Sequence, residues 1–233
     1  MTYCFDLDNT ICATRGNNYA EAVPYVKVIQ RINELFDNNT ITIFTARGGT
    51  SGIDHNKLTV SQLQEWGVKF HNLIDKNKPH YDIFIDDKAV NARVWREENK
   101  IKIIGLVASC FDLLHAGHCL YLQDAKSVCD YLIAGLQTDP TVDRPHKNKP
   151  VQSLEERKIQ LESTKYVDEV KIYTTEKELE QLVKAIRPDI RILGSDGRDR
   201  EITGYQYCKQ IYYHNRTHNW SSTNLRKKIY ETN

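Results

Sequence analysis

The fold of the second half of this chain is indicated by the stretch IKIIGLVASCFDLLHAGH, residues 101–118. The first eight, IKIIGLVA, form an apolar run of strand length, and a helical pattern begins at Gly117. Between them lies a polar turn that contains His115 and His118, whose spacing of three brings both rings to one side of a helix start. The stretch therefore predicts a strand, a turn and a helix in direct succession.

Strands and helices alternate through the rest of this half. The pattern predicts strands at 131–136, 168–173 and 190–194, and helices at 117–129, 153–165, 176–186 and 222–230. Such alternation is typical of a parallel sheet with helices on both faces. Because ligands bind at the carboxyl ends of the strands in such sheets, the polar residues that follow each strand are the candidates for a site.

The first half shows the same alternation on a smaller scale. Strands are predicted at 2–7, 40–45 and 82–86, helices at 25–36 and 57–66, and a charged stretch at 93–100. A new strand then begins at Ile101, which places the boundary near 97–101. We therefore expect an α/β protein with two doubly wound parallel-sheet domains, at 1–98 and 101–233.

The composition narrows the classes of function. The 233 residues include 32 Lys+Arg and 31 Asp+Glu, a net charge of +1, whereas nucleic-acid and membrane-surface binders usually carry a basic excess. No apolar run approaches the roughly 20 residues of a membrane helix, and MTYCFDLDNT lacks the pattern of a secretory signal. The cysteines include no CxxC pair, so reduced thiols and a cytoplasmic location are expected.

Carboxylates follow two predicted strands of the first half. The polar residues at the strand ends are Asp6, Asp8, Thr45, Asp86 and Asp87, with Lys78 shortly before the third strand. Converging carboxylates repel each other unless a cation shares the site, and oxygen ligands favour a hard ion such as Mg²⁺ with a substrate phosphate. The alternative for a single Asp-rich turn is a helix cap or an ordinary loop.

The motif Cys4-Phe5-Asp6-Leu7-Asp8-Asn9-Thr10, followed in order by the other strand ends, resembles the haloacid dehalogenase superfamily of phosphotransferases over about residues 1–98. The resemblance is to the capless type. It implies that Asp6 is a nucleophile that forms an aspartyl-phosphate and that Asp8 is the general acid/base. The implied Mg²⁺ ligands are Asp6, Asp8, Asp86 and Asp87, and the implied phosphate-binding residues are Thr45 and Lys78.

Polar groups also follow the strands of the second half. A basic run, RPHKNKP (144–150), follows one strand, and RTHNWSST (216–223) precedes the last helix. A helix N-terminus offers free N–H groups and partial positive charge to a phosphate, so an anion pocket is expected. The alternatives are a solvated loop for the basic run and an ordinary N-cap for the Ser-Ser-Thr triplet. A metal site at the histidine pair lacks a third ligand nearby.

Four motifs, FDLLHAGH (111–118), Lys149 with Glu156-Arg157, YVDEV (166–170) and RTHNWSST, together resemble the cytidylyltransferase family of HxGH nucleotidyltransferases over about residues 103–230. The resemblance implies that a substrate phosphate oxygen attacks the α-phosphate of CTP and releases pyrophosphate. The implied catalytic residues are His115, His118 and Lys149. The implied substrate- and nucleotide-binding residues are Phe111, Asp112, Lys147, Arg157, Asp196, Arg216, Ser221, Ser222 and Thr223.

Each of these residues has an implied role. The two histidines would steady the α-phosphate, and Lys147 and Lys149 would neutralise the triphosphate. Asp112 would orient the site, while Arg157 would contact substrate or support the pocket. The remaining implied contacts are Asp196 to the nucleotide, and Arg216, Ser221, Ser222 and Thr223 to the β- and γ-phosphates.

The resemblance leads us to expect a bifunctional enzyme that makes CDP-glycerol from CTP and glycerol 3-phosphate, with Mg²⁺ as cofactor and an N-terminal phosphatase. It would be a homodimer serving cell-surface polymer synthesis, without nucleic-acid or membrane partners. An adenylyltransferase that acts on a sugar phosphate of the heptose type remains open, as does a phosphoethanolamine or phosphocholine acceptor. A nucleotide sensor without turnover and a nucleic-acid repair phosphatase are the alternatives of other classes.

Overall fold

The computed structural model describes residues 1–75, 78, 88–198 and 201–231, except the side chain of Asp196. The chain divides into two compact units, Met1–Lys102 and Ile103–Asn233. No described helix combines the length and the apolar composition that a bilayer crossing would need.

Among its described residues, the first unit contains a three-stranded parallel sheet. Its elements in chain order are β1 (Thr2–Asp6), β2 (Cys12–Ala13), β3 (Val23–Pro24), α1 (Val26–Phe36), β4 (Thr40–Phe44), α2 (Asn56–Glu65), β5 (Asn72–Ile74) and α3 (Ala92–Glu98). The sheet has the order β1-β4-β5, and β2 pairs with β3 as a small antiparallel ladder. The ends of β1 and β4 therefore lie side by side, with Asp6 opposite Phe44.

β5 and α3 of the first unit do not follow from the sequence pattern, and neither does the short ladder of β2 and β3. β5 is short and only half-buried, so it shows little apolar periodicity. α3 lies in the charged stretch 93–100; the Asn91 side chain caps it by accepting a hydrogen bond from Arg93 N, and Trp95 packs edge-on against Phe5 with ring centroids 5.3 Å apart. The predicted strand at 82–86 lies outside the described residues.

The second unit contains a five-stranded sheet in which all pairings are parallel. Its elements are β6 (Ile104–Ser109), α4 (Ala116–Ser127), β7 (Tyr131–Gln137), α5 (Leu154–Glu162), β8 (Glu169–Tyr173), α6 (Glu176–Ile186), β9 (Ile190–Gly194), β10 (Gln210–His214) and α7 (Ser222–Glu231). The strand order is β10-β9-β6-β7-β8, so the chain winds outward from β6 in both directions. This is a Rossmann-like sheet, and its crevice for ligands is expected between the ends of β6 and β9.

Alternate residues of the central strand β6 lie on opposite faces of the sheet. Leu106 is fully buried in a cluster that includes Leu179 and Val183 of α6. Gly105 faces the other way, where a Cβ would meet Cys129, which follows α4. Helices therefore cover both faces, and the expected α/β class with parallel sheets is confirmed.

The sequence pattern also missed β10 and placed the start of β6 three residues early. β10 carries the sequence QIYYH, in which Tyr212 and His214 are buried among polar neighbours that conceal the alternation. β6 begins at Ile104 because the preceding N–H, that of Ile103, donates to a side-chain oxygen of Asp130 at 3.0 Å instead of to a strand.

Gly105→Ala should destabilise the second unit. A Cβ there would lie 2.7 Å from Cys129 Sγ and 3.0 Å from Ile192 Cδ1, so we expect a loss of about 1–3 kcal/mol in the free energy of unfolding, measured by hydrogen exchange of the β6 and β7 amides. Adding Cys129→Ala should recover part of the loss. Gly197→Ala, whose Cβ would meet nothing within 4 Å, is the control. An unchanged unfolding free energy in Gly105→Ala would contradict this packing.

Candidate active site

The turn between β6 and α4 has an unusual backbone. Phe111 and Leu113 have φ angles of +48° and +51°, in the left-handed region that residues other than glycine rarely adopt. Strain of this kind persists only where surrounding contacts fix the conformation, and it is common at functional sites. The contacts that fix this turn are made by Asp112, the residue between the two.

Asp112 is 4% exposed and its carboxylate holds the turn against a second segment of chain. One carboxylate oxygen accepts hydrogen bonds from Val151 N and Gln152 N, both at 3.0 Å. The other pairs with the guanidinium of Arg226 in α7. Burial acts to raise the pKa of Asp112, but the donors from Gln152, Arg226 and Val151 outweigh it and hold the pKa below its usual value. Asp112 is therefore an anion at neutral pH.

The same residue anchors the start of α7. The hydroxyl of Ser222 donates to the backbone oxygen of Asp112 at 2.7 Å. Arg226, one helical turn later, also donates to the backbone oxygen of Lys149 at 2.8 Å. Asp112 thus joins the turn after β6 to the segment before α5 and to the first turns of α7.

His115 and His118 lie stacked at the N-terminus of α4. Their ring centroids are 4.0 Å apart with an interplanar angle of 20°, and the His118 ring packs against Phe111 at 5.5 Å. His115 caps the helix, because its Nδ1 accepts a hydrogen bond from Gly117 N at 3.1 Å. The two rings therefore lie in van der Waals contact beside the free N–H groups of the helix start.

Both imidazoles are held in the neutral form. Burial, followed by the nearby His115 and Arg216, lowers the pKa of His118 to about 3. Burial, followed by Arg216 and His218, also lowers the pKa of His115. At neutral pH each ring carries one N–H that can donate to a phosphate oxygen without charge repulsion between the rings.

A cavity of about 380 Å³ opens at the carboxyl ends of the strands. This volume falls in the range of about 300–1,000 Å³ found for small-molecule sites. Its walls include Ser109 at the end of β6 and Leu193 in β9, on either side of the point where the strand order reverses. Five residues expected from the sequence line it, namely Phe111, Asp112, Lys147, His118 and Ser222.

Arg157 lies behind the cavity and not in its wall. It is 2% exposed, and its guanidinium donates to the backbone oxygens of Cys110, Gln137, Thr138 and Gln152 at 2.6–3.2 Å. Of the two roles expected for Arg157, the structure favours support of the pocket over contact with substrate.

The other expected residues are not among the described residues that line the cavity. Lys149 and Thr223 are exposed, and Lys149 contributes its backbone oxygen to the contact with Arg226. Arg216 donates to the backbone oxygen of Trp220 at 2.6 Å. Ser221 caps α7 by accepting from Asn224 N at 3.0 Å. Asp196 lies in a short 3-10 turn after β9, and its side chain is outside the described part.

Arg226 and His218 are two further residues of the site that the sequence motifs did not indicate individually. Arg226 follows Ser222 by four residues, a spacing that places both on one face of α7 and marks it as a candidate. His218 stands inside the RTHNWSST motif, but only the folded chain brings it to Gly117, where a Cβ would lie 2.8 Å from its Cε1.

A separate cluster lies at the strand ends of the first unit. Lys78 Nζ donates to Asp6 Oδ1 at 2.6 Å. Arg47, which is 4% exposed, pairs with Asp8 at 2.8 Å and also donates to Gln62 Oε1 at 2.6 Å. Each of the two aspartates therefore already has a cationic partner.

The structure gives the position of Thr45 but not of two of the expected metal ligands. Thr45 is fully buried, and its hydroxyl accepts from Arg47 N at 3.3 Å, so it is not open to a ligand in this structure. Asp86 and Asp87 lie outside the described residues. Within the described residues, no group of three His, Cys, Asp or Glu side chains is arranged to hold a metal ion. Beside these residues lies a cavity of about 630 Å³, whose walls include Arg47, Asp54 and Lys78.

Comparison with known families decides the identity of the second unit. The profile of the cytidylyltransferase-like family matches residues 106–228, more than half of the chain and nearly all of the unit that holds the histidine pair. The chain belongs to the cytidylyltransferase-like family. The turn between β6 and α4 and the start of α7 both lie within the matched range.

Proteins similar to this chain include several that are named bifunctional protein HldE. That of Helicobacter pylori (strain G27) is 36% identical over 137 residues, which are 58% of this chain and 29% of the relative. That of Wolinella succinogenes is 38% identical over 121 residues, 52% of this chain and 25% of the relative. The chain thus spans less than a third of the length of these relatives.

Similar solved structures are more distant. The lipopolysaccharide core biosynthesis protein from Thermoplasma volcanium is 24% identical with a TM-score of 0.37, over 56% of this chain and 88% of that one. Pantothenate synthetase from Thermus thermophilus is 14% identical with a TM-score of 0.42, over 55% of this chain and 64% of that one.

The ring of His118 should not titrate in the physiological range. With its pKa at about 3, its NMR Hε1 signal should stay unshifted from pH 8 to pH 5, whereas in urea-unfolded protein it should titrate near the ordinary value of about 6.5. Only the unfolded state then binds a proton in this interval, so the unfolding free energy falls as the pH drops below about 6.5, by at most about 1.4 kcal/mol per pH unit. Titration of His118 between pH 6 and 7 in the folded protein would contradict its burial.

Proposed function

We propose that the second unit is a nucleotidyltransferase that joins a nucleoside triphosphate to a phosphorylated acceptor. In this reaction an oxygen of the acceptor phosphate bonds to the α-phosphorus, the bond from that phosphorus to the bridging oxygen breaks, and pyrophosphate leaves. One observation carries the proposal: His118, at the start of α4, and Ser222, at the start of α7, line a single cavity at the ends of the parallel strands.

This reaction needs no covalent enzyme intermediate, so catalysis requires hydrogen-bond donors and positive charge around the phosphates. The described residues supply both. The neutral imidazoles of His115 and His118 would donate hydrogen bonds to the α-phosphate oxygens as charge shifts in the transition state. Lys147 and the N-terminus of α4 would offset the charge of the triphosphate. Mg²⁺ would enter as the counter-ion of the triphosphate, and so as part of the substrate.

The relatives guide the choice of base and acceptor. Similarity to HldE proteins supports a sugar phosphate as the acceptor and ATP as the donor, in preference to CTP and glycerol 3-phosphate. We therefore propose a sugar-phosphate adenylyltransferase, with CDP-glycerol synthesis as the competing assignment.

The test is release of pyrophosphate by the full chain with Mg²⁺ in four mixtures, which combine ATP or CTP with a heptose 1-phosphate or glycerol 3-phosphate. We expect the mixture of ATP and sugar phosphate to be turned over fastest. His118→Ala should lower kcat about 10²- to 10³-fold, because it removes a donor to the charge that develops on the phosphate.

The control for this substitution is Gln123→Ala, an exposed position on the same helix, which should keep the wild-type rate. Pyrophosphate release only from CTP with glycerol 3-phosphate would move the assignment to CDP-glycerol synthesis. Absence of release from every mixture would reject nucleotidyl transfer.

A second function is proposed for the first unit, in which we infer a phosphatase with Asp6 as the nucleophile. The observation that favours it is the Lys78 ammonium 2.6 Å from the Asp6 carboxylate, beside the 630 Å³ cavity. An Asp6 oxygen would attack phosphorus and expel the alcohol, which Asp8 would protonate, and water would then cleave the aspartyl-phosphate. Asp6 and Asp8 supply the oxygen ligands that Mg²⁺ prefers.

Asp6→Asn should abolish hydrolysis of p-nitrophenyl phosphate in the presence of Mg²⁺, because an amide is a far weaker nucleophile than a carboxylate. Asp37→Asn, an exposed position after α1, is the control and should leave the rate unchanged. Release of nitrophenol at the same rate by the wild type and the Asp6→Asn protein would show that Asp6 is not the nucleophile.

A further inference from the structure

A third imidazole reaches the start of α4. His218 belongs to the segment between β10 and α7, yet its Cε1 lies 2.8 Å from the position that a Cβ on Gly117 would occupy. The Cε1 of His115 lies 2.9 Å from the same position. Gly117 therefore leaves room for both rings, and any side chain there would push one of them away.

The ring of His218 has a defined orientation. Its Nδ1 accepts a hydrogen bond from Trp220 N at 3.3 Å, and its face stacks on the Trp220 indole with centroids 4.7 Å apart and an interplanar angle of 26°. Since Nδ1 is the acceptor, the proton of the neutral ring resides on Nε2. The indole and the backbone of the same short loop thus hold this N–H in place.

The Nε2 atom of His218 is buried and has no hydrogen-bond partner among the described residues. The same is true of Nδ1 of His118. A buried polar atom without a partner is unfavourable, and such atoms are retained where a ligand supplies the partner. Two of them, on rings that both adjoin His115, indicate that the missing partners belong to one ligand.

Two kinds of ligand would suit three imidazoles, a metal ion or an anion. Within the described residues, these rings do not form a group that is arranged to hold a metal. The free N–H groups at the start of α4 and the nearby Arg216, which lowers the pKa of His115 and His118, instead make the surroundings electropositive. The chemistry around His218 therefore favours a phosphate oxygen.

We propose that His218 is a third phosphate-binding imidazole of the nucleotidyl-transfer site, and that its Nε2–H donates to a non-bridging oxygen of the bound triphosphate. The ligand in this inference rests on the proposed function of the second unit. Trp220 acts here as a positioning residue, because it orients the ring and does not itself donate to the ligand.

His218→Phe tests the proposal, because phenylalanine keeps a flat ring for stacking on Trp220 and lacks the donor. We expect kcat/KM for the triphosphate to fall about 10- to 100-fold, as for the loss of a hydrogen bond to a charged group, with Tm close to that of the wild type. His218→Gln, whose amide can donate, should recover part of this loss. Asn219→Ala, at the exposed neighbouring position, is the control and should match the wild type.

Binding separates this proposal from the proposed function. Inorganic tripolyphosphate serves as the probe in calorimetry, with the full chain and without acceptor. If the wild type releases no pyrophosphate but binds tripolyphosphate, and His218→Phe binds it at least 10-fold more weakly, the proposed function fails and the role of His218 stands.

Three results would overturn the role of His218. The first is that His218→Phe keeps kcat/KM and tripolyphosphate binding within about threefold of the wild type. The second is that His218→Phe loses kcat/KM together with a large fall in Tm, and that His218→Gln recovers none of the loss. The third is that the wild-type protein binds no tripolyphosphate.

Discussion

The carboxylate of Asp112 is the constraint on which the second unit depends. It accepts two backbone hydrogen bonds from the segment before α5 and pairs with Arg226 of α7, while its own backbone oxygen accepts from Ser222. Three segments that are distant in sequence therefore meet at one buried anion. Without it, the left-handed backbone at Phe111 and Leu113 would relax, and the rings that pack on this turn would lose their positions.

The electrostatics of the cavity follow from the same arrangement. Arg157 donates to four backbone oxygens, and Arg226 donates to Asp112 and to the backbone oxygen of Lys149, so both guanidinium groups hold loops in place. The groups offered to an anion include Lys147, the N-terminus of α4 and the neutral imidazoles, whose rings can lie close together without mutual repulsion.

Much of this architecture was predictable from the sequence, because it depends on local patterns. Apolar strand runs, helical spacing and the polar turn before Gly117 indicated the parallel sheet and the histidine pair. β10 and α3 were missed because their buried residues stand among polar ones, so the strand period and the helix period are both weak there. Contacts across long loops, such as His218 with Gly117, have no local signal at all.

The roles of individual residues also depend on long-range contacts that the sequence does not show. Arg157 was expected either at the substrate or behind the pocket, and only its four bonds to backbone oxygens favour the second role. Asp86 and Asp87 lie outside the described residues, so the metal site of the first unit stays a prediction, as does the homodimer.

All of the proposed chemistry of the second unit requires that the starts of α4 and α7 form one pocket for a triphosphate. The most direct measurement is a crystal structure of the protein soaked with a non-hydrolysable nucleoside triphosphate analogue. We expect phosphate density within hydrogen-bond distance of His118, between its ring and the first turn of α7. A fully bound analogue elsewhere on the molecule, with that space empty, would contradict it.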